Sequence, residues 1–524
     1  MRIAVLGGGP GGLFAAALAR SADPTREVTV FERNRADDTF GFGVVFSDAT
    51  LAAIHEADPV LRDALADHGV HWDPIEVRLR GEALRCGGNG MAAVERRALL
   101  RVMQERAAAA GVDLRFSTPG DPDDLLDAEF DLIVAADGAN SAMRDRFADV
   151  FEPTAETASA KFIWLGTTYP FEGLTFVHER GEHGVFAVHG YPIGSGVSTF
   201  IVETDERSWR AAGLDEFDVS QPPGRSDEKS LAYLQRLFAD QLDGHALIAN
   251  NSRWSNFRTR RAARWRHRVG RTAVVLLGDS AHTAHFSVGS GTKMAMEDAV
   301  SLAAALGAHD DLDSALAAYE QERRPPVAKI QNSARPSLSW WEHFGRTYDE
   351  LPPWQFAYHF FTRSLTDAKL RRRDAGFVEA VHEQWRARHG AAPLQSPLDV
   401  ADQSLSGRLV GVAENLVRLP EFDLPLHREP VDGGSWGLVV VAPDAEDDLP
   451  AAFDAVAKGA AAGAALIAVR GGTALTRRLI CEEARLTRHA TTLLVQDARD
   501  DEEALTEILS GRTDLVGVPA GDLS

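Results

Sequence analysis

The stretch RIAVLGGGPGGLFAAALARSADPTREVTVFE, residues 2–32, decides the fold. Residues 2–6 form an apolar run of strand length, GGGPGG interrupts it, residues 11–20 continue without a breaker, and VTVFE at 28–32 forms a second run. That order reads as strand, helix, strand, the opening of a doubly wound α/β sheet. Gly7, Gly9 and Gly12 spell G-x-G-x-x-G at the first turn, where glycines permit a tight bend and let a pyrophosphate approach the helix N-terminus. Glu32 ends the second strand about 20 residues on, where a carboxylate can bind the two ribose hydroxyls of an adenosine. An acid there favours FAD or NAD over NADP, and Arg33 beside it weakens that preference. The glycines also break the apolar core that a secretory signal needs, and no run reaches the ~18 apolar residues of a membrane span.

Outward from this stretch, FDLIVAADG at 130–138 and TAVVLLGD at 272–279 repeat the strand pattern, and a helix is expected over 96–110. Between them AKFIWLGTTYPF, GLTFVHE, GVFAVHGYP and VSTFIVET are short, aromatic and alternating, the mark of an inserted antiparallel sheet. The chain then turns helical, with a first segment ending at Pro325-Pro326, and GAAPLQSP marks a linker near residue 390. The expected class is α/β: a Rossmann-like FAD-binding domain in three parts (1–75, 95–150 and 272–330) and an antiparallel β substrate domain (76–94 and 151–271). A helical region (331–395) and a small degenerate α/β domain (396–524) follow.

Composition narrows the partners. The 524 residues carry a formal charge of −22, which argues against general affinity for nucleic acid or an anionic membrane, so anionic ligands need a local basic patch. The two cysteines, Cys86 and Cys481, have no metal-ligand spacing; neither a disulfide framework nor a metal site is expected, and a cytoplasmic location fits.

Three strand ends decide which dinucleotide binds. Asp137-Gly138 closes the second strand, with Ser141 and Arg144 on the following turn, and Gly278-Asp279 closes the third. A cofactor touched at all three is longer than NAD. This combination closely resembles the single-component FAD-dependent aromatic hydroxylases related to 4-hydroxybenzoate hydroxylase. The resemblance implies that Asp279 binds the ribityl chain, that Asp137-Gly138 supports the pyrophosphate region and that Arg96, or else Arg97, contacts FAD. It sharpens in TFGFGVVFSDATL (which holds Val45, a further cofactor candidate), FIWLGTTYPF, STFIVE, GDSAHTAHFSVGSGTKMAMEDA and QNSARPSLSWWE, which look like the salicylyl-CoA and anthraniloyl-CoA hydroxylases over about residues 1–381. In the wider group the helix after the Asp turn begins Gly-x-x-Gly-x-Asn; here Thr292 and Met294 stand at the second Gly and the Asn.

The resemblance implies NADH or NADPH and dioxygen as co-substrates and a flavin 4a-hydroperoxide that delivers oxygen to an electron-rich ring while water is kept out. The expected reaction is salicylyl-CoA to gentisyl-CoA, with anthraniloyl-CoA as the alternative and a non-catalytic flavin-binding redox sensor as the reading from another class. Backbone N–H groups at Gly289, Gly291 and Thr292 would meet the flavin pyrimidine edge. His282, His285 and His189 are the candidates for proton transfer. Phe176, Phe186 and Tyr191 are expected to roof the aromatic ring. RTRRAARWRHRVGR concentrates seven arginines, and its Arg258, Arg260 and Arg264, with Arg371 from KLRRRD, are the candidates for the CoA phosphates. The tail resembles fragments of the Old Yellow Enzyme type of TIM barrel, too short for the usual ~250 residues, and is expected to hold no second flavin. Oligomeric state is not legible.

Overall fold

The computed structural model describes residues 1–39, 41–47, 52, 54, 56–59, 62, 67–217, 225–289, 291–401 and 403–522. The chain divides into two compact units, Met1–Arg78 with Asn89–Glu342, and Leu79–Gly88 with His343–Ser524. This differs from the expected boundaries at 76–94 and 331–395. Leu79–Gly88 groups with the later residues because Arg80 donates to the Leu351 carbonyl and the Gly87 N–H to Asp374.

In the first unit a six-stranded sheet runs in the order Arg266–Val269, Thr272–Leu276, Leu132–Ala135, Arg2–Leu6, Glu27–Phe31, Asp113–Arg115. Only the first pair is antiparallel. Strand order reverses beside Arg2–Leu6, so a crevice opens beyond the carboxyl ends, where open α/β sheets bind ligands. The register Leu6↔Ala135 and Ala135↔Leu276 sets the three carboxyl ends side by side. Glycines make the turns that follow possible. A Cβ on Gly12 would lie 2.2 Å from the Gly7 carbonyl oxygen, and Gly7 itself has φ +110°, open to glycine at little cost. The helix Pro10–Ala22 starts with proline in its first turn, where a missing N–H costs nothing.

The antiparallel sheet orders Leu247–Ala249, Pro153–Thr167, Ser198–Thr204, Gly184–Pro192 and Thr175–Gly181, and Ser255–Ala262 also pairs with the long strand Pro153–Thr167. Period-two alternation gives it two faces. Phe186, Val188, Phe200 and Val202 pack with Leu234 and Phe238 in one core. Tyr191 and Ile201 point the other way, into a cluster with Trp72, Phe162, Trp164 and Phe286. A smaller sheet, Gly43–Ser47, Met91–Glu95 and Val70–Trp72, contributes Val45 and Trp72 to that second cluster.

The helix Leu312–Glu350 runs through Pro325, Pro326 and Pro336 instead of ending at the first two. A proline inside a helix costs ~3 kcal/mol or more; here Val327, Ala334, Trp340 and Trp341 are buried along the same helix and offset it.

In the second unit the helices Pro353–Phe361, Asp367–Arg373 and Ala375–His389 precede a closed barrel of seven strands. Four of these, Gly437–Val441, Leu466–Arg470, Thr492–Val495 and Leu515–Pro519, are parallel and linked by helices, as the sequence pattern suggests. The ring closes through Leu409–Ala413, Leu416–Arg418 and Asp423–His427, which pair antiparallel with one another and parallel to the outer βα strands. A short chain thus completes a barrel by replacing βα units with a meander. Its interior holds Val410, Val412, Leu424, Val439, Leu466, Ala468, Leu493 and Leu515, so it is a packed core.

Candidate active site

The first strand end builds a cradle. The Gly8 N–H donates to Glu32 Oε2 at 2.7 Å, and Asn34 donates to Oε1 through its N–H at 2.8 Å and its side chain at 2.7 Å. Glu32 is thereby fixed at the end of Glu27–Phe31, while Arg33 is exposed beside it. A Cβ on Gly9 would meet nothing within 4 Å, so the space before the helix N-terminus is open.

At the second end, Asp137 Oδ2 accepts the Ala142 N–H at 2.7 Å, whereas Oδ1 is buried without a hydrogen-bond partner. Burial pushes this carboxyl above its usual range despite those N–H groups. Gly138, at φ +83°, has open space where a Cβ would stand. Arg144 donates to the Ala139 carbonyl at 3.1 Å and the Ser280 carbonyl at 3.3 Å, tying the second turn to the third.

At the third end, Asp279 keeps solvent access at the floor of a recess. Loss of hydration among the surrounding protein atoms raises its carboxyl, opposed by His282, Arg96 and Arg260. Arg96 starts the helix Arg96–Ala109, and burial lowers its guanidinium while Asp279 and Tyr191 act the other way. Arg96, Asp279 and Tyr191 therefore share one recess. Val45, opposite Ala93 in the small sheet, packs in the cluster that holds Tyr191. Arg97 points to solvent. An accessible acid, an unsatisfied buried Asp137 oxygen, a cationic Arg96 and open glycine turns fit the ribose, ribityl and pyrophosphate groups of one extended dinucleotide.

The turn after Asp279 separates the histidines. His282 Nε2 lies 2.7 Å from Asp298 Oδ2, and Arg323 Nε donates to Asp298 Oδ1 at 2.8 Å. Burial would raise Asp298, but His282 and Arg323 prevail and hold it below the usual carboxylate range. His282 also packs 5.0 Å from the Trp265 ring. It is a core histidine, held on one side by Asp298 and Arg323, with its Nδ1 buried without a hydrogen-bond partner.

His285 and His189 meet on a residue that motif reading missed. Glu203 Oε2 is 2.6 Å from His189 Nε2 and Oε1 is 3.3 Å from His285 Nε2. Glu203 is 1 % exposed, and although burial would raise it, His285 and His189 draw it down to about 2. His285 Nδ1 lies 2.7 Å from Ser287 Oγ, which lies 2.9 Å from Ser337 Oγ. The detectable signal was an acid inside Ser198–Thr204, a strand buried at every position.

Around this trio stands an aromatic wall. The His189 ring centroid is 4.3 Å from Trp341, 5.0 Å from Phe176 and 5.5 Å from Phe286. Phe286 also reaches Phe162 at 4.9 Å, and Tyr191 stacks on Trp72 at 6.4 Å. Burial raises the Tyr191 hydroxyl to about 12. Phe186 is corrected: strand alternation turns it to the opposite core. Phe176 and Tyr191 lie on the histidine face.

The arginines part company. Arg260 donates to Asn140 Oδ1 at 3.0 Å, and burial, then Arg144 and Arg258, lower its guanidinium; the strand bearing Arg258 and Arg260 thus borders the Asp279 recess. Arg264 is exposed 3.8 Å from Glu152, and Arg371 belongs to the second unit, paired with Glu379 at 3.2 Å and Asp367 at 3.6 Å. Gly289 (φ +61°) and Gly291 have open space at their Cβ positions, and Gly291 and Thr292 begin the helix Gly291–Ala308. Ser290 between them lies outside the described residues, as do Phe40 and residues 48–51 of the TFGFGVVFSDATL block. Met294, where the wider group carries Asn, is fully buried in the core.

Residues 121–334 match the FAD binding domain family. A salicyloyl-CoA 5-hydroxylase from a Streptomyces species is 57% identical over 524 residues, covering 99% of both chains. The chain belongs to the FAD-dependent aromatic hydroxylases. A 3-hydroxy-4-methyl-anthranilyl-[aryl-carrier protein] 5-monooxygenase from Streptosporangium sibiricum is 38% identical over 65% of this chain and 89% of its own. Among solved structures, a p-nitrophenol 4-monooxygenase from Pseudomonas putida aligns at TM-score 0.53 and 19% identity over 72% of this chain and 96% of that one, a likeness of fold. This hydroxylase is therefore an FAD-dependent monooxygenase, and no helix among the described residues is long and apolar enough to cross a membrane.

Proposed function

We propose that this hydroxylase acts on salicylyl-CoA, adding oxygen at the ring carbon para to the hydroxyl to give gentisyl-CoA, with NADH or NADPH and dioxygen as co-substrates. The observation that carries the reading is the 57% identity to the salicyloyl-CoA 5-hydroxylase over 99% of both chains, the tail included. The Streptosporangium relative supports a tethered aromatic acyl group as the substrate class, and its anthranilyl substrate favours anthraniloyl-CoA as the second reading. Use of NAD(P)H and a CoA thioester supports a cytoplasmic location.

FAD, when bound, supplies the activation of dioxygen. Glu32 would hold the adenosine ribose, Gly7, Gly9, Gly12, Asp137 and Gly138 the pyrophosphate region, Asp279 the ribityl chain and Arg96 an anionic part of the cofactor. The N–H groups at Gly289, Gly291 and Thr292 would meet charge that develops on reduction. Phe176, Tyr191, Phe286 and Trp341 exclude water from the aryl ring, and His189 with Glu203 handles its proton. Arg258 and Arg260 bind the CoA phosphates at the recess mouth. The test compares NADH oxidation stimulated by salicylyl-CoA and by free salicylate. Strong stimulation by the thioester alone is expected; equal stimulation by the free acid would contradict the tethered-substrate reading.

A further inference from the structure

Arg258 and Arg260 stand two apart on the strand Ser255–Ala262, so they share one face of it. Later arginines of the same run meet carboxylates, Arg261 at 2.8 Å from Glu156 and Arg264 at 3.8 Å from Glu152. Among the described residues no carboxylate lies within ion-pair distance of Arg258 or Arg260. Burial lowers the Arg260 guanidinium, the like charges of Arg144 and Arg258 add to that, and the more distant Asp145 and Asp279 oppose it. In a chain of formal charge −22, two neighbouring cations left without a counter-charge fit an anion that arrives with the substrate.

The backbone that carries these arginines is fixed from the flavin side. One edge of Ser255–Ala262 pairs with Pro153–Thr167, and the register there shifts between Thr157, opposite Arg258, and Lys161, opposite Asn256. At the other edge Thr283, in the turn after Asp279, takes the place of a partner strand. Its N–H donates to the Arg260 carbonyl at 3.1 Å, and its hydroxyl accepts the Arg260 N–H at 2.8 Å and donates to the Arg258 carbonyl at 2.6 Å. Gln331, from the helix Leu312–Glu350, donates its side-chain amide to the Arg260 and Thr283 carbonyls, both at 2.9 Å. Thr283 and Gln331 are 6 % and 3 % exposed, so water does not replace these bonds. The turn is tied to the sheet in its own right, because the Ser280 hydroxyl donates to the Ala135 carbonyl at 2.5 Å.

From this we infer that Thr283 and Gln331 are positioning residues: they lock the strand of Arg258 and Arg260 to the turn of Asp279, so that the phosphates of a CoA thioester are anchored at a fixed offset from the flavin. This rests on the reading of Arg258 and Arg260 as phosphate contacts. Binding energy from a remote part of a substrate speeds reaction only when it is converted into placement of the reacting part. A phosphate anchor on a loose strand would hold the thioester without placing its ring, whereas an anchor bonded to the flavin turn places both ends at once. The two arginines supply attraction, and the threonine and glutamine turn that attraction into orientation.

The test measures kcat and KM of the FAD-loaded wild type, Thr283→Val and Thr283→Ser on salicylyl-CoA and on salicylyl-pantetheine, the same thioester without phosphates. Wild type should favour the CoA thioester by about 100-fold in kcat/KM, two charged contacts at about ten-fold each. Thr283→Val keeps both guanidiniums but loses the hydroxyl bridge, so KM for salicylyl-CoA should stay within about three-fold while kcat falls about ten-fold more than on the pantetheine thioester. Thr283→Ser, which restores the hydroxyl, should recover the wild-type preference to within about two-fold. If Thr283→Val does not fold, Gln331→Leu should show the same selective loss. A wild type that prefers salicylyl-CoA while these variants keep the preference, or lose rate equally on both thioesters, contradicts the inference alone. A wild type that turns over the two thioesters equally overturns the phosphate reading and the inference together.

Discussion

Two buried carboxylates hold histidines in this molecule, and their surroundings differ by one charge. Asp298 binds His282 on one oxygen and Arg323 on the other, so a permanent cation balances it at any pH. Glu203 binds His189 and His285, so the groups that face it are imidazoles and no arginine takes either oxygen. The first arrangement stands behind the flavin turn, where the Gly278 N–H also donates to Asp298 at 3.1 Å. The second lies within the aromatic wall. A permanently balanced pair suits structure, and an imidazole-balanced one suits proton transfer.

The largest expected effect breaks the first pair. Arg323→Leu should cost ~3–5 kcal/mol of stability, because it leaves Asp298 buried without its arginine, held only by His282 and the Gly278 N–H. Thermal denaturation checks this, and FAD-loaded protein that survives should show the wild-type pH profile for turnover. An altered profile would erase the contrast between the pairs.

The second expectation concerns acid. Glu203 sits at about 2, below its ordinary 4.5. A carboxyl lowered by folding stabilises the protein fully above its unfolded value and loses that contribution as pH falls through the folded value. Equilibrium unfolding should therefore show stability falling between pH 4.5 and about 2, with a shallower slope in Glu203→Gln. Equal slopes would mean that the two histidines do not hold the carboxylate.

The smallest effects separate the arginines. Arg264→Ala should change stability by less than ~0.5 kcal/mol, as exposed pairs do, and leave KM for salicylyl-CoA unchanged. Arg260→Ala should raise that KM by about ten-fold with kcat preserved, the pattern of lost uniform binding. Steady-state kinetics of the two variants side by side decides whether position on the strand, and not membership of the arginine run, selects the phosphate contacts.

Much of this was legible in the sequence for a physical reason. Gly7 and Gly12 sit where backbone approaches too closely for a side chain, Gly278 sits at φ +66° against the Ala295 side chain, and such glycines recur at fixed offsets from strands. The four parallel strands of the tail were equally plain as apolar runs. What escaped depended on contacts distant in sequence. Phe186 and His189 are three residues apart, an odd offset that strand alternation sends to opposite faces. His282 and His285, in one turn, are told apart only by Asp298 and Glu203, which come from a helix and a strand elsewhere. Closure of the barrel by Leu416–Arg418 and Asp423–His427 rests on strands too short to carry a periodic signal.

The central claim is oxygen insertion into an aryl-CoA ring. Incubation of the FAD-loaded protein with salicylyl-CoA, NADH and isotopically labelled dioxygen, followed by mass analysis of the thioester, tests it most directly. The account predicts gentisyl-CoA carrying one labelled oxygen atom. NADH consumed with the thioester returned unlabelled would contradict it.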